Sequence, residues 1–263
     1  MTFYSYLMVI TMIPAITREG MIEVDRIMTE DLGIEIPLMM ENAGLNLAKI
    51  AIKYYTKLQL KKIIIVSGSG NNGGGGMVAA RRLKNWGFDV SLLLPKGMPS
   101  RSVPQAQLIR AQECGVAVIF QLPSYNTDSC LVVDSYIGYN FKGEIYGVTK
   151  DTIDWMRNQK LICLDLPSGV DSSTGLNPGL LQPLATVTLA FPKIGLQFMN
   201  PNHLGQIYLA DVGVPFWVFD NAELYSGTKA TNIDIHELAN LFSMKSVFPI
   251  DVSDKGWSFT TLD

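Results

Sequence analysis

The 263-residue sequence predicts an α/β sandwich with a mostly parallel sheet, on three observations. From Lys62 onward, short β-branched runs alternate with amphipathic stretches of helical length, the pattern of strands joined by crossover helices. The first run, Ile63-Ile64-Ile65-Val66, is apolar throughout, as a strand covered on both faces must be. It opens directly on a glycine loop and a helix, with Gly68, Gly70, Gly73, Gly74, Gly75 and Gly76 inside nine positions. Free N–H groups and the positive end of a helix dipole face such a loop, which suits it to hold an anion.

Taken in order, residues 1–16 form an N-terminal extension, apolar and aromatic from Phe3 but too short to span a bilayer. They lack the basic start and small-residue cleavage site of a secretory leader. Thr17 caps a first helix in which Met21, Val24, Ile27 and Met28 recur at helical spacing. Asp31-Leu32-Gly33 turns the chain, and Pro37 opens a second helix over 38–55. Its apolar face is Met40, Leu47, Ile50, Ala51 and Tyr54, with Glu41 and Asn42 as polar exceptions. Strands are expected at 62–67, 90–94, 116–120, 131–134, 161–165, 186–191 and 206–210. Helices fall between them at 76–86, 103–113 and 148–158. Residues 17–220 therefore read as one Rossmann-like, three-layer α/β/α domain, with ligands beyond the carboxyl ends of the strands. Residues 221–263 are a polar, turn-rich C-terminal tail with one amphipathic stretch, 233–242.

Composition narrows the function. A net charge of −3, with no basic block and no aromatic-interleaved Lys/Arg run, recommends neither nucleic acid nor an anionic membrane surface. Cys114, Cys130 and Cys163 are odd in number and widely spaced, as expected for buried thiols of a reducing compartment such as the cytoplasm. The histidines, His203 and His236, stand apart from every motif, which disfavours a zinc site or a Ser-His-Asp triad.

Two carboxylates close strands beside the glycine loop: Asp134 after Leu131-Val132-Val133, and Asp165 after Leu161-Ile162-Cys163-Leu164. A single one reads as a turn cap, whereas two on the same sheet edge point to function. A triphosphate loop is excluded because Gly76 is followed by Met77 instead of Lys-Ser/Thr. Gly68, Gly70 and Gly73 satisfy a dinucleotide fingerprint, but the acid that should end the second strand, Asp89, precedes it. A dehydrogenase reading therefore rests on three glycines alone.

A fuller match exists. GSGNNGGGGMVAARRL resembles the GPGNNGGDGLVAARHL signature of the NAD(P)H-hydrate epimerases, the YjeF N-terminal domain family. VVDSYIGYNFKGE, LDLPSGVDSSTG, the Pro192-Lys193-Ile194-Gly195-Leu196 block and the upstream MENAG box agree in the same order. The resemblance implies an enzyme that interconverts the R and S hydrates of NADH or NADPH at ring carbon C6, for repair by a separate dehydratase. It implies a potassium ion held by Asn72, Asp134 and Ser168, oxygen donors of the kind an alkali cation takes. It places the substrate against Asn71, Asn72, Gly73, Gly74 and Gly75, and against Gly138, Tyr139, Asn140, Phe141, Lys142, Gly143 and Glu144, with Asp165 in contact. Asp165 is the candidate acid/base and Asp134 a second, whose ion ligation competes with proton transfer. Lys193 is left out of the catalytic set, and Asn42 stands between structural and ligand roles.

One departure matters: the family's loop Asp is Gly75 here. Losing a hydrogen bond to a charged group costs about 1.5–3 kcal/mol. Two readings follow, a weakened epimerase or an inactive ligand-binding or scaffold protein. The family's fold also serves as a dimeric scaffold in an enhancer of mRNA decapping, so the resemblance admits a homodimer.

Overall fold

A computed structural model of the chain describes residues 10–13, 15–124, 126–141, 144–220, 235–253 and 256–260. Its centre is the expected set of parallel strands: β2 (Lys62–Ser67), β3 (Val90–Leu93), β4 (Ala117–Ile119), β5 (Cys130–Ser135), β6 (Leu161–Leu164), β7 (Ala185–Leu189) and β8 (Gln206–Ala210). β2 lies between β3 and β5, with Ile64 opposite Ser91 on one side and Val132 on the other.

Because side chains alternate across a strand, β2 feeds two different cores. Ile63 and Ile65 face α2 (Ile36–Lys57), α3 (Asn71–Asn85) and α4 (Ser102–Glu113), packing with Leu47, Met77 and Leu108. Ile64 and Val66 face the other layer, where α5 (Gly147–Met156) contributes Ile153 and Met156. Helices on both faces make the three-layer sandwich that the alternation predicts. Thr17 caps α1 (Arg18–Arg26) by accepting from the Gly20 N–H at 2.9 Å.

The sheet is wider than the sequence suggests. Among the described residues its order is β1-β10-β9-β8-β7-β6-β5-β2-β3-β4, ten strands, of which β1 (Ile10–Ile13), β9 (Val247–Ser253) and β10 (Gly256–Thr260) pair antiparallel. These strands come from the segments read as N-terminal extension and C-terminal tail, so the sheet runs beyond the 17–220 bounds. β9 carries Pro249 and Asp251, which break the apolar run that marks a strand in sequence. The terminal strands build their own core: Ile13, Ile250 and Trp257 pack with Val24 and Met28 of the first helical segment and with Leu238 and Leu241 of α6 (Ile235–Met244). Trp257 is fully buried.

Candidate functional site

The carboxyl ends of β2, β5, β6 and β7 open on a cavity of about 440 Å³. Helix α3 starts at Asn71, five residues before the expected start, so Gly73 to Gly76 lie inside its first turns. Gly70 is the N-cap and no side chain caps the helix; the first-turn N–H groups have no partner within it, while Gly74 N–H already bonds back to Gly70 O at 3.0 Å. Gly70, Asn71 and Asn72 line the cavity, so the positive end of the helix is directed into it.

The close approach that the glycines provide is largely to the protein itself. A Cβ on Gly73 would sit 2.0 Å from Gly68 O, and one on Gly76 would sit 1.9 Å from Ser135 Oγ. Gly73 and Gly74 are buried and lie behind the cavity wall, Gly74 against the thioether of Met40. Gly75 does line the cavity, and its missing side chain would point at Leu164 Cδ2, 3.0 Å from the Cβ position.

Asp134 is wholly buried and outside the cavity lining. Its Oδ1 accepts from Tyr136 N–H at 3.0 Å and from Ser168 Oγ at 2.5 Å, and its Oδ2 accepts from Ser168 N–H at 2.8 Å. Ser168 Oγ in turn accepts from Ile137 N–H at 2.8 Å, and Asn72 Nδ2 donates to Ile137 O at 3.2 Å and Leu164 O at 3.4 Å. Asn72, Asp134 and Ser168 therefore belong to one bonded knot joining the loops after β5 and β6. Every donor to Asp134 is neutral, and burial pushes its carboxyl above the usual range. Among the described residues no group of three or more His, Cys, Asp or Glu could hold a metal ion. The donors present (an amide, a carboxylate, a hydroxyl and main-chain carbonyls) fit an alkali cation, whose charge would offset that of the buried carboxylate.

Asp165 lies in different surroundings. It follows β6 with φ 70°, in the left-handed region, where Leu166 N–H bonds back to Leu164 O at 2.9 Å. Ala190 does the same after β7, with φ 61° and Phe191 N–H on Leu189 O at 2.7 Å. Two such three-residue turns side by side are strained conformations of the kind kept at functional sites. They end the strands short of the expected 165 and 191, and they bring Asp165 against Lys193. Lys193 Nζ donates to Asp165 Oδ1 and, at 2.8 Å, to Leu189 O; the two charged side chains are 1% and 3% exposed. The Lys193 backbone is clamped by Ile16, whose N–H donates to Pro192 O and whose carbonyl accepts from Ile194 N–H.

The loop after β5 completes the wall. Gly138, Tyr139, Asn140 and Phe141 line the cavity; Glu144 is exposed outside it, and Lys142 and Gly143 lie outside the described residues. Tyr139 O–H donates to Asp25 Oδ2 at 2.7 Å, and Lys193 Nζ stands 5.8 Å from the centre of the Tyr139 ring. Burial raises the Asp25 carboxyl above its ordinary range, and the Tyr139 hydrogen bond opposes that shift. Burial and the neighbouring Asp25 push the Tyr139 phenol upward, so it stays protonated. Lys96 and Arg101, after β3, stand exposed at the cavity's edge.

Sequence reasoning missed Lys193 as a partner of Asp165 and missed Asp25 entirely. The Pro192-Lys193 block carried a signal for the first. Nothing near Asp25 in sequence marks it, because its partners are more than a hundred residues away. Asn42 is exposed and does not line the cavity, while Glu41 pairs with Arg81 and Arg82, tying α2 to α3.

Residues 37–195, well over half the chain, match the family described as YjeF-related protein N-terminus. The NAD(P)H-hydrate epimerase of Dehalogenimonas lykanthroporepellens is 35% identical over 216 residues, 81% of this chain and 87% of that protein. The NAD(P)H-hydrate epimerase of Dictyostelium discoideum is 31% identical over 65% of this chain and 75% of its own length. The crystal structure of yeast ynu0 shares the fold, with a TM-score of 0.71, 21% identity, and coverage of 83% of this chain and 97% of that one.

Proposed function

The chain belongs to the family of YjeF-related protein N-termini, and on that premise we propose that it is an NAD(P)H-hydrate epimerase. The substrate is a nicotinamide cofactor with water added to its ring, and the reaction inverts the configuration at C6. The carrying observation is the Asp165–Lys193 ion pair, buried beside the same cavity that receives the N-terminus of α3. Inverting C6 requires a proton to move and developing charge to be held, and a strand-end carboxylate facing a lysine supplies both.

In this reading the N–H groups of Asn71 and Asn72, at the start of α3 on the cavity wall, hold the dinucleotide phosphates. Lys96 and Arg101 add positive charge at the mouth, where phosphate oxygens enter. Gly138 to Phe141 wall the nicotinamide end, and Asp165, fixed by its strained turn and by Lys193, is the proton-transferring group. A potassium ion held by Asn72, Asp134 and Ser168 would supply fixed positive charge that keeps the loops after β5 and β6 in register. The S hydrate is the form that a stereospecific dehydratase consumes.

The test is incubation of R-hydrate with a separate S-specific dehydratase, with and without this protein and with and without potassium. Faster recovery of reduced cofactor is expected, and Asp165→Asn should abolish it. No acceleration by the wild-type protein overturns the epimerase reading. Full activity of the variant removes only the Asp165 assignment.

A further inference from the structure

The cavity holds a second carboxyl group that the reaction as described does not use. Asp25 comes from α1, a different wall from the sheet end that carries Asp165, and both residues line the cavity. Its Oδ2 is fixed by the Tyr139 hydroxyl, and the charged groups acting on it are Lys193 and Asp165. Asp25 has no ion-pair partner among the described residues, whereas Asp165 is paired with a lysine. Two carboxyl groups in one cavity, one ion-paired and one tied only to a neutral hydroxyl, are arranged to take opposite roles in proton transfer.

We infer that Asp25, positioned by Tyr139, is the acid that protonates the departing C6 hydroxyl, while Asp165 receives the proton of the returning water. The inference rests on the epimerase reading. A proton passes from the Asp25 carboxyl to the C6 hydroxyl, the C6–O bond breaks with its electron pair on the leaving water, and the ring nitrogen lone pair forms the N1=C6 double bond. Water then adds to the other face of C6, the double-bond pair returns to nitrogen, and the surplus proton goes to Asp165. Exchange with solvent resets both carboxyl groups, and nothing is oxidised or reduced. Burial, which keeps Asp25 protonated to higher pH than a free carboxyl, suits it to the acid role.

The experiment compares wild type, Asp25→Asn, Asp25→Glu and Tyr139→Phe in the coupled epimerase assay across pH, with thermal melts of each. Asp25→Asn should lower kcat by at least about 100-fold, with KM within about threefold, and Asp25→Glu should recover part of the loss. In Tyr139→Phe, the carboxylate form of Asp25 loses a hydrogen bond, so its pKa rises. Because the acid works protonated, the falling limb of the kcat profile then moves to higher pH. A purely structural tie would lower the melting temperature and leave that limb in place. Should Asp25→Asn fail to fold, the position of the Tyr139→Phe limb decides. An active wild type, with Asp25→Asn within tenfold of it or an unmoved limb in Tyr139→Phe, overturns this inference alone. An inactive wild type overturns the epimerase reading, and this inference with it.

Discussion

Asp134 is the penultimate residue of β5 and Asp165 follows β6, the strand beside it, yet the two carboxylates have different partners. Asp134 is enclosed by neutral donors from Tyr136 and Ser168 and lies outside the cavity. Asp165 borders the cavity, sits on a strained turn and is met by a lysine. In sequence the two looked alike, an acid after an apolar run. The difference shows that position on a sheet edge nominates a carboxylate, and the groups donating to it decide its task. Asp134 fastens two loops, whereas Asp165 faces the cavity with a lysine beside it.

The largest test of that contrast is Lys193→Met, which strips a buried carboxylate of its cation and should cost about 3–5 kcal/mol. Denaturant unfolding measures it, and a loss smaller than that of Asp134→Asn would break the distinction. Gly75→Asp adds a carboxylate to the Asp165 side, needing only a small shift of the Leu164 side-chain tip. It should tighten hydrate binding by about 1.5–3 kcal/mol, roughly ten- to hundredfold, as read by titration. No gain there would show that the remaining site does not engage the hydrate. On the Asp134 side, Ser168→Ala removes one donor to Asp134 and leaves Ile137 N–H without its acceptor, for a loss of about 1–3 kcal/mol in denaturant unfolding. The smallest effect is ionic: potassium at tenfold its Kd should stabilise the protein by about 1.4 kcal/mol over lithium. That difference should vanish in Asp134→Asn; its persistence in melts of the variant would place the ion elsewhere.

The parallel core was legible because each of its strands is a short β-branched run and each crossover helix has an amphipathic face. Asp165 was legible for the same reason, since a strand end on such a sheet faces the ligand side. The antiparallel strands β1, β9 and β10 were not, because their residues become apolar faces only when paired with one another. The glycine run was legible as close approach, but not what it approaches: Gly73 and Gly76 make room for Gly68 and Ser135, while Gly70 to Asn72 face the cavity. Asp25 and Lys193 acquire their meaning from partners far along the chain, which local spacing does not encode.

The Ile16 clamp on Pro192 and Ile194 couples the start of the chain to the lysine that meets Asp165. A shorter product initiated at Met21 would retain every motif of the glycine loop and both strand-end acids, but it would lose this latch along with the Thr17 cap. Its Ile194 amide should exchange hydrogen faster than in the full chain, and an affinity tag or a protease cut near residue 16 would be felt at the lysine before any motif was touched.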